Sequence, residues 1–386
     1  MAFIINNGVL KRYDPEPDEL DIVIPDDVVE IGERVFRGSG IRSVTIPSSV
    51  KIIGEEAFDN CRNLTKVTLN NGLENIKKYA FHGSSINEIV LPETVKTIGK
   101  YAFRFSNIES INIPEKVKKL SKYFCDSCMR LKNISVSEKN TKYTSVDGVL
   151  FDKSINNLIL YPCAKKDSCY AIPDGVTTIQ RNSFANCKHL ESIIIPDSVH
   201  YIEKYSFNVC LELQHITIHD GIMEVDRKAF YSRKKISDIT IVGGKTTVKA
   251  SADFQTSDYN FKADTMRFID CATSSLYSKL KSFSEIKDTA LKIPLAIFLS
   301  FEYDDPTINA YLKRNIRRVV KYLADAEDAE NLTKLLDMGY ITKKNVDDLI
   351  SYAVNAKKPE IQLILSNFKN DSIGYRNEKV FDNLML

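Results

Sequence analysis

The chain has 386 residues, is 43% hydrophobic and 27% charged, and balances 53 basic against 51 acidic residues for a net charge of +2. That composition supports a large buried core and excludes a disordered chain. The near-neutral charge gives no electrostatic reason to expect nucleic acid or an anionic membrane as partner.

From the N-terminus, Met1–Lys11 is too short and too polar for the apolar region of a secretory signal. With Met1 as the true start, the chain is expected in the cytoplasm. Removal of a signal peptide would instead make it secreted or place it on the cell surface. No stretch reaches the roughly 20 apolar residues of a membrane-spanning helix, and Ile293–Phe301 is far too short, so membrane insertion is not expected.

A period of 22 or 23 residues then organises the first 245 positions. The aliphatic residues that end each short alternating segment are Ile24, Ile46, Leu69, Leu91, Ile113, Val136, Ile172, Ile195, Ile218 and Ile241. Proline follows six of them, as at Pro47 and Pro92, and cannot donate to a continuing ladder. A second landmark is the ring at Phe36, Phe58, Phe81, Phe103, Phe184, Phe207 and Phe230, with an aliphatic residue five positions earlier and a small residue often just before it. In the fifth repeat that count, taken from Leu120, lands on Cys125. Cys125 is therefore expected in the ring slot and Phe124 in the small slot. A fixed period in the twenties means a solenoid of short parallel strands and turns, each coil burying its apolar face against its neighbours.

The interval from Val136 to Ile172 is 36 residues, so something is inserted at about 141–165. Asp147-Gly148 between two alternating runs predicts a β-hairpin. A related G-V-L sequence at Gly8-Val9-Leu10 predicts a capping segment at the N-terminus. After Ile241 the period fails. Gly243-Gly244 reads as a terminator, and residues 246–275 as a junction with short strands at Thr246–Ala250 and Thr265–Asp270. From about residue 276 to 386 the spacing becomes helical, with stripes such as Leu312, Ile316, Val319, Val320 and Leu323, and with Gly339 as a helix stop. This predicts a small α-helical domain of paired helices.

The array I-P-x-x-V-x-x-I-G-x-x-A-F-x-x-C-x-x-L resembles the BspA-like leucine-rich repeats. Ile46-Pro47, Val50, Ile53-Gly54, Ala57-Phe58, Cys61 and Leu64 carry the resemblance, with the same slots in the other coils, over roughly residues 1–245. The hairpin with Asp147-Gly148-Val149-Leu150 and Tyr161-Pro162 is similar to that family's usual interruption. The helical segment resembles ankyrin-type helix pairs at Asn331–Gly339 and Asn345–Leu365, although the T-P-L-H pattern is absent. The first resemblance implies a curved, right-handed solenoid with a strand-lined concave face, and a protein-binding or adhesive role, often on the cell surface.

Residues for chemistry are few. Cys61, Cys128, Cys187 and Cys210 share one repeat slot, which suits a buried apolar thiol. The repeat also accounts for both members of the Cys125/Cys128 pair, so no metal site is expected there. Cys163 and Cys169 flank a loop and are the one pair placed to bridge if oxidised. His215 and His219 lie across a strand rather than on a helix face, and no nucleophile, phosphate-binding or dinucleotide motif is present. No catalytic residue, metal or cofactor is expected, nor a small-molecule substrate.

What remains is the strand face. Between the aliphatics, Ser43, Thr45, Lys66, Thr68, Glu88, Val90, Ser110, Asn112, Asn133, Ser135, Ser192, Ile194, His215, Thr217, Asp238 and Thr240 are expected to point outward as a candidate binding face. Lysines and tyrosines gather instead on the turns, at Lys77-Lys78-Tyr79, Lys100-Tyr101, Lys118-Lys119, Lys122-Tyr123 and Lys204-Tyr205. The expected function is a non-enzymatic protein–protein interaction scaffold. One rival is an adhesin binding host matrix protein or glycan. The other is an enzyme in the C-terminal part, which after residue 245 has no histidine and one cysteine.

Overall fold

The computed structural model describes residues 2–372 except 17–18, 122, 227, 231–235, 255, 258–259, 262–267 and 269–275. The predicted solenoid is there, with about ten turns over residues 9–242, followed by six helices among the described residues. By compactness the chain divides into two units, Met1–Ser237 with Asp253–Met266, and Asp238–Ala252 with Arg267–Leu386.

Most turns of the first unit lay down two strands. The longer ones, such as Ser43–Ile46, Lys66–Leu69, Ser110–Ile113 and Asn133–Val136, pair in parallel with their equivalents one coil away. The short ones, such as Glu30–Ile31, Ile52–Ile53, Asn75–Ile76 and Thr97–Ile98, build a second parallel sheet. The I-P-x-x-V motif is the corner between them. In each case the proline carbonyl accepts the valine N–H three residues on, as in Pro25–Val28 (3.1 Å) and Pro92–Val95 (3.0 Å). Proline thus ends one strand and closes the turn that starts the next.

The rings stack as the period requires. Tyr13, Phe36, Phe58, Phe81 and Phe103 follow one another at 4.9, 4.9, 5.2 and 5.5 Å between centroids. A second ladder runs Tyr161, Phe184, Phe207 and Phe230 at 5.0, 4.8 and 4.7 Å. Each such contact contributes about 0.5–1.5 kcal/mol beyond area burial. The ladders are separated at Cys125. The Phe36, Phe58 and Phe81 amides donate to the carbonyls of Ala57, Ala80 and Ala102, and the Phe103 amide donates to the carbonyl of Phe124. Phe124 therefore occupies the small slot and Cys125 the ring slot, both buried, as the count from Leu120 predicts.

The ring turns carry left-handed backbone that composition does not announce. Two residues before the ring, Arg34, Glu56, Tyr79, Tyr101, Asn182 and Tyr205 all have φ between 55° and 62°. Two residues after it come Gly38, Asn60, Gly83, Phe105, Asn186 and Val209, also at positive φ. Only the glycines and asparagines hint at this. The other positions are held by the ladder bonds on either side.

The insertion is a three-stranded antiparallel meander rather than a single hairpin: Tyr143–Val146, Val149–Asp152 and Asn157–Leu160. Asp147 and Gly148 turn at φ 50° and 78°, as the pair demands. The last strand restarts the solenoid. Leu158 pairs with Ile179 as Leu10 pairs with Ile31, and Tyr161 enters the ring ladder as Tyr13 does. The structural counterpart of Leu10 is thus Leu158, not the Leu150 that the G-V-L likeness suggests. Buried Asn140 anchors the entry. Its amide donates to the Pro114 and Val117 carbonyls, and its oxygen accepts the Lys142 and Tyr143 amides.

Strand Ile236–Val242, which belongs to the second unit from Asp238 on, turns at Gly243–Thr246 into strand Thr247–Phe254, which belongs to it as far as Ala252. The helices are α1 (Leu276–Glu285), α2 (Thr289–Tyr303), α3 (Pro306–Asp325), α4 (Ala329–Asp337), α5 (Val346–Asn355) and α6 (Pro359–Ser372). The predicted stripe Leu312, Ile316, Val319, Val320, Leu323 is buried. The α3–α4 and α5–α6 connections repeat each other. Ala326 and Ala356 cap, and Glu327 and Lys357 turn at φ 55° and 56°. Asp328 and Lys358 then donate back to Leu323 and Ala353, each at 2.9 Å. Gly339, at φ 69°, ends α4 as expected. The strand predicted at Thr265–Asp270 lies outside the described residues apart from Phe268, which is helical and buried.

Candidate interaction surface

The sixteen strand-face residues fall into two rows. Pairing sets Ser43 beside Lys66, Thr45 beside Thr68, Ser110 beside Asn133 and Asn112 beside Ser135. Glu88 bridges Lys66 and Ser110. Beyond the insertion, Ser192 lies beside His215 and Ile194 beside Thr217. Side chains facing the same way on parallel strands recur every 4.7–4.9 Å or so, which makes continuous stripes. In one row Val23 and Val90 are 63% and 82% exposed, and on the separate sheet beyond the insertion Ile194 is 39% exposed, far from where β-branched residues usually sit. Asp238 departs from the expectation. It is buried rather than exposed, and its carboxylate meets Lys249 Nζ at 3.2 Å. Strand Ile236–Val242 buries both Asp238 and Ile239, which point to opposite faces, so alternation gives the face but not that the face is covered there. Thr240 is half-buried.

The cysteines sit where the repeat puts them, all as free thiols in the described part. Cys61, Cys128 and Cys210 donate to the carbonyls of Phe36, Phe103 and Phe184 at 2.9, 3.0 and 2.9 Å. Burial pushes the Cys61 and Cys163 thiols up to about 12 and raises those of Cys125 and Cys187 as well. Cys163 points inward and bonds the Cys128 carbonyl, whereas Cys169 lies exposed in the outward row beside Ser192. Cys271 lies outside the described residues. Among the described residues no group of three His, Cys, Asp or Glu side chains could hold a metal ion. His219 is taken up with the Ile195 carbonyl at 2.7 Å.

Three of the lysine–tyrosine turns stack along one edge. Tyr79, Tyr101 and Tyr123 stack at 5.2 and 5.8 Å, with Lys78 and Lys100 Nζ 4.9 and 4.8 Å from the first two rings. Lys122 lies outside the described residues. Beside the stack, Asp59 is buried between Arg37 (2.9 Å) and His82 (2.6 Å), so one carboxylate ties three coils together.

Tyr123 also walls a groove of about 630 Å³ that the repeat pattern does not reveal. Asn157, Thr178, Tyr201 and Glu224 line it as one register row of the short-strand sheet. Arg181, Glu203, Lys204 and Asp226 come from the turns that follow those strands. The only signal for this site in the sequence is the insertion itself, which restarts the short strands at Asn157.

Two stacked parallel sheets, a ring ladder and a coil of 22 to 23 residues define a leucine-rich-repeat solenoid. The BspA type leucine rich repeat region, in six copies, matches residues 29–157 and 153–271, and the chain belongs to that family. A leucine-rich repeat protein from Eubacterium ventriosum is similar at 25% identity and a TM-score of 0.51, over 56% of this chain and 60% of that one. The pneumococcal vaccine antigen PcpA matches at 24% identity and a TM-score of 0.44, over 61% and 78% of the two chains. A leucine rich cell surface protein of Faecalibacterium prausnitzii matches at 22% and 0.36, over 63% and 93%. No curated protein matches.

Proposed function

We propose that this protein is a non-enzymatic interaction scaffold whose solenoid presents the long-strand face to a protein partner. The exposed apolar side chains of Val23 and Val90 in one row, and of Ile194 on the long-strand sheet beyond the insertion, carry this reading. Leaving apolar β-branched side chains in water on a regular sheet has a free-energy cost that burial against a partner would recover, at roughly 25 cal/mol per Å². Around them the face is small and polar, with Ser, Thr and Asn in register. That composition suits a broad contact rather than a few aromatic anchors. The C-terminal helix pairs, with their repeated α3–α4 and α5–α6 connections, form an ankyrin-like second module in this reading.

The test is capture of partners from the source cell by the full chain, compared with the Val90→Asp and Ile194→Asp variants. A partner held by the native chain and lost by both variants supports the face. Retention by both variants at full strength would overturn it. Fractionating the cell, with detection of the native chain, decides between the cytoplasm and the surface.

A further inference from the structure

We propose that the groove between Tyr123 and Tyr201 is a separate binding site for a neutral oligosaccharide. Its volume of about 630 Å³ falls within the range of small-ligand sites, roughly 300–1,000 Å³. The character of its lining then selects the ligand class.

Three carboxylates, Glu203, Glu224 and Asp226, face two cations, Arg181 and Lys204. An anionic ligand such as a phosphate or sulfate ester would meet that excess of negative charge. An apolar peptide or lipid would leave the ionised groups desolvated without partners. A ligand with many neutral hydroxyls fits, because each hydroxyl both donates and accepts. It can give to a carboxylate, which only accepts, and take from a guanidinium, which only donates.

The two tyrosines supply the other half. A sugar ring has an apolar C–H face as well as a hydroxyl rim, and Tyr123 and Tyr201 offer ring surface beside polar groups. Tyr201 is 44% exposed, and Tyr123 ends the stack of three tyrosines.

The polar groups are held in advance. Glu203 accepts the Arg181 amide at 2.9 Å and Asp226 accepts the Lys228 amide at 2.8 Å. The Arg181 guanidinium and Lys204 ammonium lie 5.3 and 4.9 Å from the Tyr205 ring. Side chains fixed before binding lose less freedom when the ligand arrives.

The experiment is isothermal titration of the full chain with neutral β-glucan, chitin and mannan oligosaccharides, beside heparin and oligolysine. Native chain is compared with Tyr201→Ala, Tyr201→Phe, Glu224→Gln and, on the other sheet, Val90→Asp. Thermal melting checks that each variant folds. The expected result is binding of at least one neutral oligosaccharide, weakened about tenfold or more by Tyr201→Ala and by Glu224→Gln. Val90→Asp should bind within about threefold of the native chain, and Tyr201→Phe, which keeps the ring face, should bind more tightly than Tyr201→Ala. The proposal is overturned if no neutral oligosaccharide binds at millimolar concentration. It is also overturned if Tyr201→Ala and Glu224→Gln bind as the native chain does, or if heparin or oligolysine binds more tightly than every neutral sugar. Because Val90→Asp disables only the long-strand face, failure here and failure of the scaffold reading are told apart.

Discussion

The Cys61 thiol donates to the carbonyl of Phe36 at 2.9 Å, one coil back along the solenoid. The same bond recurs from Cys128 to Phe103 and from Cys210 to Phe184, so the cysteine slot is a hydrogen-bonding position as well as an apolar one. The Phe36 carbonyl also accepts the Ser39 amide at 2.9 Å, so it keeps one partner without the thiol. Cys61→Ala should therefore cost only about 1 kcal/mol, read as a shift of the urea midpoint at pH 7.

The buried thiols also set an alkaline limit. Their folded values lie above the unfolded one of about 8.5, with Cys61 and Cys163 pushed up to about 12 and Cys125 and Cys187 raised too. Above pH 8.5 the unfolded chain releases these protons while the native chain keeps them, so the native state binds more protons and stability falls as pH rises. Below pH 8.5 both states hold them and the contribution is constant. Each thiol adds a slope of about 1.4 kcal/mol per pH unit in that window. Urea melts between pH 8 and 10.5 should show the fall, and Cys61→Ala should make it shallower by one proton.

Thiol labelling separates the two cysteine environments. In a Cys271→Ser background, maleimide should modify Cys169 in the native protein within minutes, because it stands exposed on the outward row. Cys61, Cys125, Cys128, Cys163, Cys187 and Cys210 are buried and should label only in denaturant. Peptide mapping after labelling gives the answer directly. Modification of Cys163 at the same rate as Cys169 would contradict its inward position.

The Phe124/Cys125 exchange offers a sharper check of the coil register. With Phe124 already filling the small slot, Cys125→Phe alone adds a second ring to a closed space. It should destabilise by about 1–3 kcal/mol. The double change Phe124→Ala with Cys125→Phe restores the Ala-Phe order of the neighbouring coils, so it should be at least 1 kcal/mol more stable than the single variant. Chemical melts of the three proteins test this, and equal stability of the single and double variants would refute the assigned register.

That register is legible in the amino-acid sequence because a solenoid makes one demand many times. Ile31, Ile53, Ile76 and Ile98 repeat a single environment, and an exception such as Cys125 stands out by counting. Tyr161 obeys the same count, 23 residues before Phe184, but the Tyr-Pro pair reads first as the end of a hairpin. The left-handed residues at Glu56, Tyr79 and Tyr101 leave no trace in the residue pattern, since tertiary bonds rather than glycine hold them there. The outward rows follow from alternation, but their exposure does not: at Asp238 that face is covered, with Lys249 against the carboxylate. The groove is hidden for a different reason. It is built where the array restarts, on one register row that carries a different residue in each coil (Asn157, Thr178, Tyr201, Glu224), so the residue pattern does not mark it.

Gly243 shows how a residue read as punctuation can carry packing. A methyl group at its Cα would lie 2.4 Å from Glu302 Oε1 and 2.7 Å from Phe298 Cε2, both below any relaxed contact. Glu302 cannot simply swing aside. Its Oε1 accepts the amides of Lys245 and Thr246 at 2.7 and 2.6 Å and so fastens the Gly243–Thr246 turn to α2. Gly243→Ala forces either overpacking against Phe298 or loss of these two charge-assisted bonds, and should cost about 2–4 kcal/mol. Gly244→Ala is the control, because its added methyl would approach only Glu302 Oε2, at an ordinary 3.7 Å. Melting of the full chain followed by far-ultraviolet dichroism should show a helical transition lowered by several degrees for Gly243→Ala and little changed for Gly244→Ala. Glu302→Gln keeps the shape but weakens both bonds, so it should fall between the two. Equal melting of Gly243→Ala and Gly244→Ala would mean that the turn is not fastened to α2 through Glu302.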